Sequence, residues 1–462
     1  MKFKFTLFFV CFLINVSLIF AQKDIECKTK LSLFHQDVTV KNFDIAYDNW
    51  KFVKDSCPEL NIAIYSDGEK ILKHKIERTK GEARKRLLNE LLGVWESRLN
   101  YFPNKTPKGQ YSAKSFQLKY DNRDVLEKST EELYHGFDNA FQMDKKTFNH
   151  PKALYTYFSL IMELNEAGKK SLKEVFDKYD DINDKIENEV KNYSLKLNKL
   201  VEKQNKKIPL NKTEIKAKSS YKNYLKNYSL VSENINKMIA TIADCSNLIQ
   251  LYTKDFEAHK KDSIWLKRAV SRMYHKECTE DPLYEKLAIA YDEVAPSADT
   301  KFFVAIILVK KGKTEEAMNY LAKAYELETD TFKKSKLANR IGFTLMRKAD
   351  YSRARIYYRR ALKLNPSNGR PHLAIASMYA MSANNCGKDE FEKRAVYWLA
   401  ANEARKALIV DPTIKQHAER AIKRYEALAP SKEMIFLCAC SGKEIKFSCW
   451  INKKVVVPTI KK

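Results

Sequence analysis

Apolar residues recur in steps of three and four along two stretches of the chain. One runs Leu172, Val175, Tyr179, Ile182, Ile186, Val190, Tyr193, Leu197 and Leu200; the other runs Tyr221, Tyr224, Tyr228, Val231, Ile235, Met238, Ile242, Cys245 and Ile249. Such spacing puts each set on one face of a helix, as in a coiled-coil seam. The polar segment from Glu202 to Lys216, with Pro209, lets the second helix fold back on the first. This predicts a long antiparallel helical hairpin over 146–262 that projects from its surroundings. A longer helix pair packed into those surroundings has the same periodicity. Near the end the period changes. Lys443 to Ile451 and Lys454 to Thr459 gather β-branched and aromatic residues around Asn452-Lys453, which predicts a small β-hairpin over 429–462 with Pro458 at its edge.

Between these regions the pattern repeats. Numbered from Ser335, one unit ending at Asn368 places Gly342 at position 8, Tyr351 at 17, Ala354 at 20, Tyr358 at 24, Ala361 at 27 and Pro366 at 32. Small residues at 8 and 20 let two antiparallel helices approach, aromatics at 17 and 24 fill the space beside them, and proline at 32 ends the second helix. The unit before it, about Ala298 to Thr331, has Gly312 at the turn and Ala317, Leu321 and Ala324 at 20, 24 and 27, but Thr329 in place of proline. The unit after it opens at Gly369, carries Ala376 and Tyr379, and closes with Ala400, Ala407 and Pro412 around an insertion at Asn384-Asn385-Cys386-Gly387-Lys388. Insertions in solenoids map to loops, so this one is a candidate specificity element. A degenerate unit from Trp265 to Pro296 precedes the set.

This pattern resembles the tetratricopeptide repeat (TPR), whose period is about 34 residues. The resemblance implies a mainly α, TPR-type solenoid over 263–428 that binds protein or peptide partners along a concave face lined by the first helix of each unit. On this chain the implied concave positions include Asp299, Phe302, Ile306, Val309 and Lys310, then Lys336, Asn339, Phe343, Met346 and Arg347, then Arg370 and Leu373. Their mixture of apolar area and cations suits a peptide with apolar anchors and some negative charge. The carboxylate clamp of chaperone-binding TPR proteins is only partly echoed by Lys336, Asn339 and Arg340. A weaker match at Phe43, Ala46, Trp50 and Pro58 makes 22–145 a TPR-like helical region, in which Cys27 and Cys57 stand at positions 1 and 31. An antiparallel pair brings those positions to one end, which predicts a disulfide between them. The layout, with Asn384-Asn385-Cys386-Gly387 and Phe447-Ser448-Cys449-Trp450-Ile451 after the repeats, is similar to a group of exported TPR proteins of Bacteroidota.

Composition fits this class. Only 11 Gly and 12 Pro interrupt 462 residues, so long helices are favoured over many short strands. The start, Met1-Lys2-Phe3-Lys4 followed by an apolar run from Phe5 to Phe20 and by Ala21-Gln22, has the form of a cleavable signal peptide, residues 1–21. Export to a periplasm is the expectation, with secretion or surface association as alternatives. The net charge is +26, two units of which come from Lys2 and Lys4. It fits either solvated lysines on helix surfaces or an anionic glycan or surface polymer as ligand.

Of the nine cysteines, Cys11 lies in the leader and the other eight suit disulfides in an oxidising compartment. Cys245 and Cys278 are the central pair, and Cys386, Cys438, Cys440 and Cys449 allow three connectivities that clamp the insertion and the cap. A metal or redox site at Cys438-Ala439-Cys440 is the sharper alternative; its spacing is not Cys-x-x-Cys and it has no histidine beside it. The sequence holds no nucleophile elbow, Walker loop, zincin or dinucleotide motif and no nucleic-acid module. The expectation is a non-enzymatic scaffold in a bacterial envelope assembly, without cofactor, metal or nucleic acid, touching the membrane only through its partners.

Overall fold

The structure is a computed structural model that describes residues 22–459. The predicted signal peptide, 1–21, lies outside the described residues. The described chain is helical apart from one small sheet and its connections, because so few glycines and prolines interrupt its amphipathic runs. Among the described residues no helix is long and apolar enough to cross a membrane. The chain divides into two compact units, one through Lys185 and one from Ile186 onward.

The first unit begins with α1 (22–39), α2 (Phe43–Ser56), α3 (Ala63–Arg78) and α4 (Gly81–Tyr101). Phe34, Ala46, Trp50, Val53, Ile64 and Leu88 are among its buried core. Trp50 is fully enclosed and its indole N–H donates to the Ile64 carbonyl at 2.7 Å. A Cβ at Gly68 would lie 2.4 Å from that ring, so only glycine admits the approach. A disulfide joins Cys27 to Cys57. Then come α5 (Lys108–Asp121), α6 (Thr130–Met143) and α7 (Pro151–Glu166), packed around buried Phe137, Phe141, Phe148 and Tyr157. The unit ends inside α8 (Leu172–Asn205).

The second unit takes in the rest of α8, then α9 (Lys212–Ala240), α10 (Cys245–His259), and the pairs α11 (Ser263–His275) with α12 (Pro282–Val294), α13 (Ala298–Lys310) with α14 (Thr314–Leu327), and α15 (Thr331–Arg347) with α16 (Tyr351–Leu364). After α17 (Arg370–Met381) and the short α18 (Ala383–Cys386) follow α19 (Glu390–Val410), α20 (Lys415–Leu428) and α21 (Lys432–Leu437). Strands β1 (Glu444–Phe447) and β2 (Lys453–Val456) pair antiparallel, Glu444 opposite Val456.

Within α15–α16 the repeat logic is explicit. Tyr358 is buried, and a Cβ added to Gly342 would stand 2.9 Å from its ring. Ser335 donates from its hydroxyl to the Ala361 carbonyl at 2.9 Å, closing the pair at its other end.

The hairpin does not project. Tyr193 of α8 stacks on Tyr224 of α9 at 4.6 Å and also meets Tyr221 and Tyr228, so the two helices fold back on each other. From Ile186 onward they lie along the turns between repeats. Lys191 pairs with Asp330, Glu187 with Lys336, the Ser367 amide donates to Asn198 Oδ1 at 3.2 Å, and Lys222 donates to the Ile409 carbonyl at 3.5 Å. Buried Leu225 and Ile239 lie off the predicted seam. They are enclosed because α9 packs on the turn at Pro412–Ile414 as well as on α8.

The C-terminal hairpin reaches back along the last repeats. The Trp450 ring sits between Tyr351 and Tyr379, 5.4 and 5.6 Å from them, and its N–H donates to Ser382 Oγ at 2.9 Å. Arg355 stacks on the same indole and donates to the Ile451 carbonyl. Cys386, in the insertion, is bonded to Cys449. The insertion is therefore tied down and is not a free loop.

Candidate functional site

The first helices of the repeats, α13, α15 and α17, carry the residues assigned to partner binding, and the structure separates them into three groups. Phe302 is fully buried and Ile306 nearly so; both belong to the packing and not to an open surface. Over Phe302 lies Arg340, its guanidinium carbon 3.9 Å from that ring centre and 5.1 and 5.3 Å from those of Tyr274 and Phe303. Leu373 is half-buried against the Ala407, Ile414 and Ala418 cluster.

A second group is held by acids of the same chain. Lys310 pairs with Glu280 at 2.5 Å, and Lys336 pairs with Glu187. The remainder, Phe343, Arg347 and Arg370, is exposed, and Asn339 is half-buried. Phe343 keeps 43% of its surface in solvent, and Arg347 lies 6.0 Å from its ring centre.

The carboxylate of Glu187 reaches Lys336 from the hairpin. It sits in a recess with Lys267, His275 and Arg340, yet its side chain is 62% exposed, so water enters. The crowding of that recess would raise the Glu187 pKa, but the charge and hydrogen bond of Lys336 outweigh it and the net shift is downward. His275 is pushed down to about 4 by the same crowding and by the Arg340 and Lys336 charges. Arg340 donates to Asp299 at 3.4 Å, while its Nε and Nη2 have no hydrogen-bond partner among the described residues. Those two donors lie against aromatic faces, which offer a cation attraction without hydrogen bonds. A carboxylate clamp built on Lys336 thus already contains a carboxylate from its own chain.

Two features escaped the sequence reading. One is α16, whose run Tyr351–Leu364 carries Arg353, Arg355, Arg359, Arg360 and Lys363 and no acid. Arg355, Ile356, Arg359, Arg360 and Lys363 line a surface cavity of about 350 Å³. The missing acids were the available signal. The other is Glu403, 4% exposed on α19. It accepts from Arg359 at 2.8 Å and from Lys406 at 3.0 Å, with His372 Nδ1 at 2.7 Å. Burial opposes its charge, but the three bases overcome this and hold its pKa down to about 2.

The structure pairs Cys245 with Cys278, and Cys438 with Cys440. The last bond closes on itself and clamps neither the insertion nor the cap, contrary to the role expected of it. Among the described residues no group of three His, Cys, Asp or Glu side chains is placed to hold a metal ion.

Two stretches match the tetratricopeptide repeat family model, residues 298–331 and 335–368. No curated protein matches the chain in sequence. Among solved structures, a tetratricopeptide repeat protein from Parabacteroides merdae is similar at 12% identity, covering 68% of this chain and 97% of that one, with a TM-score of 0.25. Yeast Tom70 is similar at 11% identity and 90% coverage of both chains, TM-score 0.30. The human IFIT1 dimer is similar at 12% identity over 80% of this chain and 77% of that one, TM-score 0.34. The family matches fall on the α13–α14 and α15–α16 pairs, and within the latter Gly342 packs against Tyr358 as the repeat requires; these two helix pairs are tetratricopeptide repeats.

Proposed function

We propose that the protein is an exported scaffold that holds a protein partner in a bacterial envelope assembly, through the open part of its first-helix face. Repeats of this kind are protein-interaction modules. The observation that carries the reading is the pairing of exposed Phe343 with Arg347 beside the charged recess of Glu187, Lys336 and His275. An aromatic anchor with an adjoining cation is the surface chemistry that seats an apolar and partly acidic peptide. Export rests on the charged and apolar start of the sequence, and eight cysteines after it accord with an oxidising compartment.

The test is recovery of partners from crosslinked envelope fractions by the wild-type chain and by a F343A/R347E variant with an unchanged circular dichroism spectrum. The proposal expects a defined partner retained by the wild type and lost by the variant. Equal recovery by both, or recovery of the protein alone, overturns it.

The acid-free α16 and its cavity favour a second reading, an anionic glycan or surface polymer bound through Arg360 and Lys363, the two cations of that cavity not engaged by Glu403 or by the Trp450 segment. Such binding weakens steeply with salt and is abolished by charge reversal on α16, whereas peptide binding at Phe343 is not.

A further inference from the structure

The four disulfides are not alike. Three join cysteines 30, 33 and 63 residues apart, and the fourth joins Cys438 to Cys440 across one residue. A crosslink restrains the unfolded chain more as the loop it closes grows, so the shortest contributes least to folding and its opening costs the fold least.

Access separates it as well. Cys27 and Cys278 are buried at 0% and 3% exposure, whereas Cys438 is exposed and Cys440 half-buried. Immediately before them Phe436 and Leu437 are 77% and 75% exposed. Two large apolar side chains therefore stand in water beside an exposed sulfur. Cys386 and Cys449 are bonded to each other, so the other two cysteines of the C-terminal region do not compete.

We propose that Cys438–Cys440 is a thiol–disulfide exchange site whose substrate is a pair of cysteine thiols in an unfolded or flexible protein segment. The substrate's first thiolate attacks Sγ of the more exposed Cys438. The Cys438–Cys440 bond breaks, a substrate–Cys438 disulfide forms, and Cys440 leaves as a thiolate that takes a proton from water. The substrate's second thiolate then attacks its own bonded sulfur and releases Cys438. The substrate loses two electrons and becomes a disulfide, and the protein gains them as a Cys438/Cys440 dithiol.

The full chain, isolated oxidised, is equilibrated in glutathione buffers of graded reduced-to-oxidised ratio, trapped with an alkylating agent and mapped by mass spectrometry. Cys438 and Cys440 are expected to become alkylated at a ratio at least about tenfold less reducing than that needed for the other three pairs. In parallel, a reduced unfolded peptide with two cysteines is mixed with the wild type, with C438S/C440S and with C440S. The wild type is expected to oxidise one equivalent of peptide and the double variant none. A C440S chain whose Cys438 is first activated with oxidised glutathione is expected to hold a single-cysteine version of the peptide as a mixed disulfide. Reduction of Cys438–Cys440 together with or after the others overturns the proposal. So does peptide oxidation that the double variant performs equally well, and so does native mapping that joins either residue to Cys386 or Cys449. A double variant that keeps the wild-type circular dichroism spectrum and its other three bonds shows that loss of exchange is not loss of fold.

Discussion

Replacing Glu403 with glutamine tests how the last repeats are held together. The carboxylate is 4% exposed and is bonded to Arg359 on α16 and Lys406 on α19, with His372 on α17 beside it, so one side chain ties three helices. Its pKa of about 2 lies well below the ordinary glutamate value, which the unfolded chain restores. A depressed folded pKa adds stability that is present above the unfolded pKa and lost as pH falls through the folded one. A shift of about 2.5 units at about 1.4 kcal/mol per unit is worth about 3.5 kcal/mol at pH 7, and about 1.5 kcal/mol remains at pH 3. Glutamine keeps the volume and one acceptor but cannot titrate. Urea unfolding followed by circular dichroism at pH 7 and pH 3 is the assay. The variant is expected to be less stable than the wild type by about 3.5 kcal/mol at pH 7 and by about 1.5 kcal/mol at pH 3. A deficit under about 1 kcal/mol at pH 7, or one that does not shrink on acidification, refutes the argument that the three bases stabilise a buried charge.

Gly342→Val drives two methyls toward the Tyr358 ring, which a bare Cβ would already meet at 2.9 Å, and is expected to lower stability by about 1–3 kcal/mol in the same urea assay. The double variant C386S/C449S removes a crosslink spanning 63 residues; a loss of about 4 kcal/mol is expected, with faster tryptic cleavage at Lys443 and Lys446 by time-resolved mass spectrometry. Glu187→Gln breaks the exposed ion pair to Lys336 and is expected to change the melting temperature little, since such pairs contribute about 0–1 kcal/mol. The same change is expected to raise the affinity of the recess for an acidic peptide in a fluorescence-anisotropy titration, because Lys336 is released.

The repeats were legible because their signature is local: Gly342, Tyr351, Ala354, Tyr358 and Pro366 stand at fixed spacing within one helix pair, and the packing that demands them is complete inside it. The terminal β-hairpin was legible for the same reason, though its turn spans 448–452 and not Asn452-Lys453, since Lys453 pairs with Phe447 in the sheet. The placement of α8 and α9 was not. Periodicity marks one apolar face per helix, whereas the contacts that lay the hairpin on the repeats come from Glu187, Lys191, Asn198 and Lys222, residue types that read as solvated. Ser194 and Asn198 are in fact buried, at 5% and 6% exposure. The candidate site failed in part for a related reason. Spacing assigned Phe302 and Ile306 to the correct helix but could not say that Arg340 lies across Phe302. The bond between Cys438 and Cys440 and the exposure of Cys438 depend on how the chain leaves the end of α21, which is not written in the spacing.

A stack of helix pairs is a spring whose compliance lies at the joints between neighbours, and in this chain the last joint is pinned. Trp450 is inserted between Tyr351 of one repeat and Tyr379 of the next, and the Cys386–Cys449 bond fastens the segment that carries it. Separating the two repeats at that joint means withdrawing the indole from one of its tyrosines, and the disulfide keeps the segment that carries it in place, so this joint is held by more than the packing of neighbouring helices.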